Sequence, residues 1–163
     1  MKFNRKNQKG FSLIELLIVV AIILIIAAIA IPNLLQARVA ANEASAVGSL
    51  RTINTAEITY ISAFPTVGFA PTLTALGGTN CAPPDETQAC LIDSALASGS
   101  KSGYSFTAVS IGSPSTGYFA VGMPVGSNGN RSFCATEDSS IHFDPTGSAI
   151  NDHDSCQALS PLQ

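Results

Sequence analysis

Charge is what this sequence has least of. Only 12% of its 163 residues are Asp, Glu, Lys or Arg, against 46% that are apolar. Basic charge is the scarcest. Beyond the first nine positions only Arg38, Arg51, Lys101 and Arg131 stand against eleven carboxylates. Such an acidic chain is a poor electrostatic match for a phosphate backbone, which argues against nucleic-acid binding. Aromatic rings are sparse along the N-terminal half. Phe11 and Tyr60, far apart, are the two that fall on the helix expected there, which excludes a conducting path of stacked rings.

Catalytic signals are missing as well. Ser140, His142 and Asp144 have the side chains of a nucleophile, a base and an orienting acid. As strand neighbours they are expected to alternate between faces, and closeness in sequence does not make a triad. The glycines between 122 and 129 lack the lysine and the strand–helix context of a phosphate-binding loop. His142 and His153 make no C-x-x-C or H-x3-H grouping with the cysteines, so a four-ligand zinc site is not expected. Glu137, Asp138, Asp144, Asp152 and Asp154 crowd oxygen ligands into a short stretch, as calcium requires. Their spacing fits no EF-hand or repeat loop, and a solvated acidic rim is the simpler reading. No enzyme activity and no cofactor are expected.

What is present is a strong partition. Lys2, Arg5, Lys6 and Lys9 supply half of the basic residues, and residues 11–31 then read FSLIELLIVVAIILIIAAIAI with Glu15 as their one charge. At about 1.5 Å rise per residue, this run spans a hydrocarbon core roughly 30 Å thick. Basic residues flank it only on the N-terminal side, which places residues 1–10 in the cytoplasm and the chain after Pro32 outside. A secretory signal peptide would have a shorter apolar core and a clearer cleavage site than Ala28-Ile29-Ala30. A plain signal anchor accounts for the run, but not for Glu15. An ionised carboxylate one turn into such a run costs a few kcal/mol or more. Cleavage between Gly10 and Phe11 would create a free α-amine at the head of the helix. In a bundle of helices that amine can meet the Glu15 of a neighbour and fix the axial stagger.

Lys9-Gly10-Phe11-Ser12-Leu13-Ile14-Glu15 resembles the class III signal sequence of type IV pilins and of type II secretion pseudopilins. The shared features are a short basic leader, Gly before the cut, an aromatic first mature residue and Glu at the fifth mature position. The resemblance covers roughly residues 5–60 and the remainder in outline. It implies cleavage after Gly10 by a prepilin peptidase, N-methylation of Phe11 and an assembly role for Glu15. It further implies an inner-membrane assembly machinery and a helical homopolymer of identical or homologous subunits. The subunit would be single-pass in the bacterial inner membrane before assembly and extracellular afterwards. A secretion pseudopilin is the alternative. Pro32 is expected to break or kink the helix, since it removes an N–H and clashes with the carbonyl of Ala28. In the resembled family a proline at this place borders a stretch that loses helicity inside the filament.

After Pro32 the pattern turns amphipathic. Ala40, Ala44, Val47, Leu50, Ile58 and Ile61 are expected on the buried face, with Arg38, Glu43, Arg51 and Glu57 off it. Gly48 is expected to admit a close strand. Helix is predicted over 12–62, followed by a loop-rich stretch to 102 with a short helix near Asp93. Strands are predicted at 104–111, 118–124, 132–136 and 140–143. The four cysteines lie beyond the apolar run, which suits two disulfides in an oxidising compartment. Of three connectivities the short-range one is expected, Cys81–Cys90 with Cys134–Cys156. The other two and four reduced thiols stay open. The family resemblance adds a disulfide-bounded C-terminal loop. The predicted class is α+β, with a long helix, transmembrane in its first half, packed on a small antiparallel sheet. Its segments are a leader (1–10), a core helix (11–31), a head helix (32–62) and a β head (63–163).

Overall fold

The computed structural model describes residues 10–79 and 81–162. The basic leader residues Lys2, Arg5, Lys6 and Lys9 lie outside the described residues. The chain is α+β, as the sequence predicts. Helix α1 (Leu13–Ala63) is followed by α2 (Leu73–Leu76), α3 (Ser94–Ala97), β1 (Ser100–Lys101), β2 (Tyr104–Gly112) and β3 (Ser115–Pro124). Then come β4 (Ser132–Thr136), β5 (Ile141–Asp144), α4 (His153–Gln157) and β6 (Ser160–Pro161). The strands form one six-stranded sheet in chain order, every neighbour antiparallel. Chain-order pairing needs only short connections, so the sheet is a meander. The contacts divide the chain into two units, one up to Ala37 and one from Arg38 onward.

In the second unit α1 buries a seven-residue repeat. Glu43, Leu50 and Glu57 fall at one position of the repeat and Ala46, Ile53 and Tyr60 at another, and all six are buried. Positions spaced by three and four residues share a helix face, so the repeat forms one stripe. This corrects the face predicted from the sequence. Ala40, Ala44 and Ile58 are exposed and Val47 and Ile61 half-buried, while Glu43 and Glu57 lie inside. Hydrophobicity alone rotated the stripe the wrong way because both carboxylates have partners in the head. Gly48 is also corrected: a Cβ there would meet open space, so no strand approaches. The close approach is at Gly122, where a Cβ would lie 2.8 Å from the ring of Phe106 on the neighbouring strand.

The inner face of the sheet meets this stripe through Tyr104, Phe106, Tyr118 and Phe133. On β3 successive side chains alternate, so Tyr118 and Ala120 face one way and Phe119 and Val121 the other. Both sets are buried, because the C-terminal segment covers the second with Ile150, Cys156 and Leu159. Each of the three tyrosines ties a buried ring to the fold. Tyr60 donates to the Glu86 carbonyl (2.6 Å), Tyr104 to the Arg131 carbonyl (2.8 Å) and Tyr118 to Asn54 Oδ1 (2.8 Å). The stretch 65–102 is more ordered than predicted. Thr72 caps α2 by accepting from Ala75 N–H, and Asp93 caps α3 by accepting from Leu96 N–H. Such caps satisfy amide donors at a helix start, which lets four-residue helices persist.

The two inward carboxylates behave oppositely. Burial pushes Glu43 upward, but N–H donors from Asn130 and Arg131 and the Arg131 guanidinium (Nη2 to Oε2 2.8 Å) hold it below its ordinary value. Glu57 is fully buried. Its Oε2 accepts from Ala70 N–H at 2.8 Å and its Oε1 has no hydrogen-bond partner. Burial outweighs that single bond and raises its pKa to about 7.

The unfolded carboxyl titrates near 4.5, so from there up to about 7 the unfolded chain has lost a proton that the folded chain keeps. Stability from this group is therefore complete below pH 4.5 and lost as pH rises to 7, by about 3 kcal/mol at the cited shift. Glu57→Gln keeps an acceptor for Ala70 and cannot ionise. Urea unfolding followed by the near-ultraviolet signal of the tyrosines is expected to lose most of this slope between pH 5 and 8 in the variant.

Candidate functional site

Helix α1 opens with its own carboxylate as a cap. Ser12 N–H donates to Glu15 Oε2 at 3.1 Å, and Leu16 N–H donates to the Ser12 carbonyl at 3.2 Å. Ser12-Leu13-Ile14-Glu15 is the S-x-x-E spacing of a capping box, in which the acid at the third helical position reaches back to an amide that has no helical acceptor. The sequence reading missed this local role for Glu15, although the spacing was in plain view. A carboxylate near a helix N-terminus is also stabilised by the aligned peptide dipoles.

Gly10 and Phe11 precede the helix and are exposed; Phe11 retains 85% of its surface and a Cβ on Gly10 would touch nothing. From Leu13 to Leu35 the large apolar side chains are exposed all round the helix. Helix α1 is long and apolar enough to cross a membrane. Water gives such a surface no favourable environment; lipid or other apolar helices do.

Pro32 does not interrupt this segment. The helix continues through it, in keeping with the helix predicted over 12–62. Proline forfeits one backbone hydrogen bond and strains the turn before it, at a cost of about 3 kcal/mol. Alanine, leucine and glutamine on either side propagate helix readily and keep the ladder closed around the gap.

The cysteines form Cys81–Cys90 and Cys134–Cys156. The first closes the loop between α2 and α3. The second joins the middle of β4 to α4, so the tail is not structureless: it contributes a capped helix and an edge strand.

The acidic residues of the head are each engaged locally. Asp138 accepts from Ser140 and Thr136, Asp144 from Thr146, and Asp152 caps α4 by accepting from Ser155 N–H. Glu137 and Asp154 flank His153 at 3.0 and 3.2 Å. Burial pushes the His153 pKa down, but these two carboxylates push it further up. Among the described residues no group of three or more His, Cys, Asp or Glu side chains comes together as a metal site. Ser140 and His142 do meet, Oγ to Nε2 at 2.8 Å. They stand two residues apart and so share a side, contrary to the alternation assumed above. No acid completes a triad. His142 Nδ1 is engaged by the Leu159 carbonyl (2.7 Å), and the serine hydroxyl donates to Asp138.

The model of the prokaryotic N-terminal methylation motif matches residues 5–31, the stretch that holds Gly10, Phe11 and Glu15. The N-terminal segment carries that motif. Over 38 residues the chain is 68% identical to the type IV wide pilus major component PilA4 of Thermus thermophilus, covering 23% of this chain and 29% of that protein. Over 61 residues it is 46% identical to the type IV major pilin protein PilA of Myxococcus xanthus, covering 37% and 27%. The chain thus spans less than a third of the length of these curated relatives. The likeness to these pilins lies in the N-terminal segment, and the head is described by its own geometry.

A disulfide that closes a loop of this size, with a sequence separation of 22, restricts the unfolded chain and contributes about 3 kcal/mol. The double variant Cys134→Ala, Cys156→Ala is expected to lose about that much in urea unfolding. It should also expose the 145–162 segment to proteolysis, and an unchanged midpoint would show that packing alone holds the tail.

Proposed function

We propose that the chain is the structural subunit of a type IV pilus-like surface filament. A prepilin peptidase cuts between Gly10 and Phe11, and Phe11 becomes N-methylated. The processed subunit waits as a single-pass protein of the bacterial inner membrane. An assembly machinery then stacks the apolar first half of α1 into the fibre core, leaving the head outside. The observation that carries this reading is the exposed apolar surface of the first half of α1 with one carboxylate in its first turn, within a matched methylation motif. The names of both relatives favour a pilus over a secretion pseudopilus.

Mechanistically, cleavage generates the charge that the carboxylate pairs with. In the single chain Glu15 is held by Ser12 N–H. In the fibre it takes the Phe11 ammonium of a neighbouring subunit as well, and a mis-staggered subunit leaves both charges unpaired in apolar surroundings. Pro32 gives the helix a place already short of one hydrogen bond, where it can open during packing.

Mass spectrometry of the chain recovered from membranes is expected to show loss of residues 1–10 and one added methyl group on Phe11. An intact leader would refute processing. Glu15→Ala and Glu15→Gln separate the two roles of the carboxylate, because Gln retains an acceptor for Ser12 N–H but carries no charge. Both are expected to lower extracellular fibre by about ten-fold or more at normal membrane levels. Wild-type fibre from the Gln variant would mean that capping, not charge pairing, is what Glu15 supplies.

A further inference from the structure

Pairing off the charges of the head leaves three side chains over. Lys101 and Arg131 hold Asp93 and Glu43, whereas the exposed guanidiniums of Arg38 and Arg51 make no ion pair or hydrogen bond among the described residues. Glu86 is their acidic counterpart. Its carboxylate takes no hydrogen bond or ion pair among the described residues, while every other carboxylate meets an N–H, a hydroxyl, a cation or the His153 ring.

The backbone of Glu86 is nevertheless firmly placed. Its carbonyl accepts from the Tyr60 hydroxyl at 2.6 Å, and Asp85 and Gln88 on either side exchange backbone hydrogen bonds at 3.2 Å. Asp85 Oδ1 accepts from Thr87 N–H at 2.8 Å, and Cys81–Cys90 closes the loop behind the turn. Glu86 therefore stands at the tip of a tied turn, exposed, and little chain entropy is lost when something binds it. Arg51 borders a groove of about 320 Å³ on α1, lined also by Thr52, Thr55, Ala56, Thr59 and Leu91. The hydroxyls of Thr52, Thr55 and Thr59 each donate to the carbonyl four residues earlier, at 3.0, 3.0 and 2.9 Å. Covering the groove thus strands none of these hydroxyl protons.

We infer that the Glu86 turn of one copy of this chain docks in the Arg51 groove of the next, carboxylate to guanidinium. This contact rests on the filament reading and adds a contact between heads to it. Tyr60, beside Glu86, follows Arg51 by nine residues, which is about two and a half turns and roughly 14 Å of rise. Tip and groove therefore belong to opposite sides of α1 and to different heights along it. Two copies that run in the same direction bring them together by an axial stagger. Such a contact is head-to-tail, so each added copy leaves one tip and one groove unused and the array grows without closing. Charge selects this occupant: the tip carries the unpaired acid and the groove the unpaired base. Arg51 is favoured over Arg38 because the groove adjoins it. A lone exposed ion pair contributes little, but this one is covered by the partner and recurs at every subunit. In a head so rich in carboxylates, most other placements of Glu86 set like charges together, so the pair also rejects wrong staggers.

Charge reversal of the full chain tests the contact, with extracellular fibre measured against chain held in the membrane. Arg51→Glu and Glu86→Arg are each expected to lower fibre by about ten-fold at normal membrane levels. The double variant should recover fibre close to that of the parent. Co-expression of the two single variants should recover it as well, as an alternating copolymer, because each then offers the other a matched tip and groove. Intact Cys81–Cys90 and Cys134–Cys156 in peptide digests report that each variant is folded. Parent-level fibre from folded single variants, or a double variant that stays defective, would overturn the contact and leave the filament reading standing. Recovery in the double variant without recovery on co-expression would overturn it too, by placing the pair within one chain. So would rescue of Glu86→Arg by Arg38→Glu in place of Arg51→Glu. Absence of fibre from the parent chain would instead refute the filament reading, and the contact with it.

Discussion

Helix α1 carries two carboxylates inward, and the head is organised around satisfying them. Glu43 gathers two backbone amides from the turn before β4 together with the Arg131 guanidinium. That guanidinium in turn lies over the rings of Phe133 and Phe143, at 5.3 and 5.6 Å from their centroids. One side chain thereby joins helix, turn and two strands. A hydrogen bond to a buried charge is stronger than a neutral one, and removing either partner leaves a costly orphan. Glu57, two repeats further along, does the analogous job at Ala70 with a single bond. It is the weaker link, and the proton it retains up to about pH 7 is the consequence. The register of helix against sheet is thus set by polar contacts placed within an apolar stripe.

How much of this was legible in the sequence follows from which signals are local. The apolar run, the strand at Ser132–Thr136 and the short helix near Asp93 are written in neighbouring residues, and they were readable. The buried stripe was not, because a helix face containing two glutamates looks like a solvent face until its distant partners at Asn130, Arg131 and Ala70 are known. The short strands β1 and β6 have two residues each, too few for any alternation to register. Helix α2 was hidden in a stretch rich in proline and glycine, though Thr72 supplied a capping signal. Gly48 misled because a helical glycine suggests close packing, and here it faces open space.

The N-terminal segment shows the same lesson in reverse. The pattern from Gly10 to Glu15 was readable as a resemblance to the class III signal sequence, and the methylation-motif match over residues 5–31 covers it. The capping box in the same residues was overlooked because a functional explanation for Glu15 was already at hand. A carboxylate with a local partner is already partly satisfied before any neighbouring subunit arrives. Its presence in an apolar run is therefore less anomalous than charge counting suggested, and removing charge while retaining the acceptor is what distinguishes the two roles.

The scarcity of basic residues has a last consequence for the head. Beyond α1, a trypsin-like protease finds only Lys101 and Arg131 to cut after. Both side chains are already held, Lys101 by Asp93 and Arg131 by Glu43, each at 2.8 Å. A cut at either point leaves the intervening hairpin paired to β1 on one side and β4 on the other. The same paucity of positive charge that makes the chain a poor match for a phosphate backbone thus leaves digestive enzymes of this specificity with little purchase on the folded head.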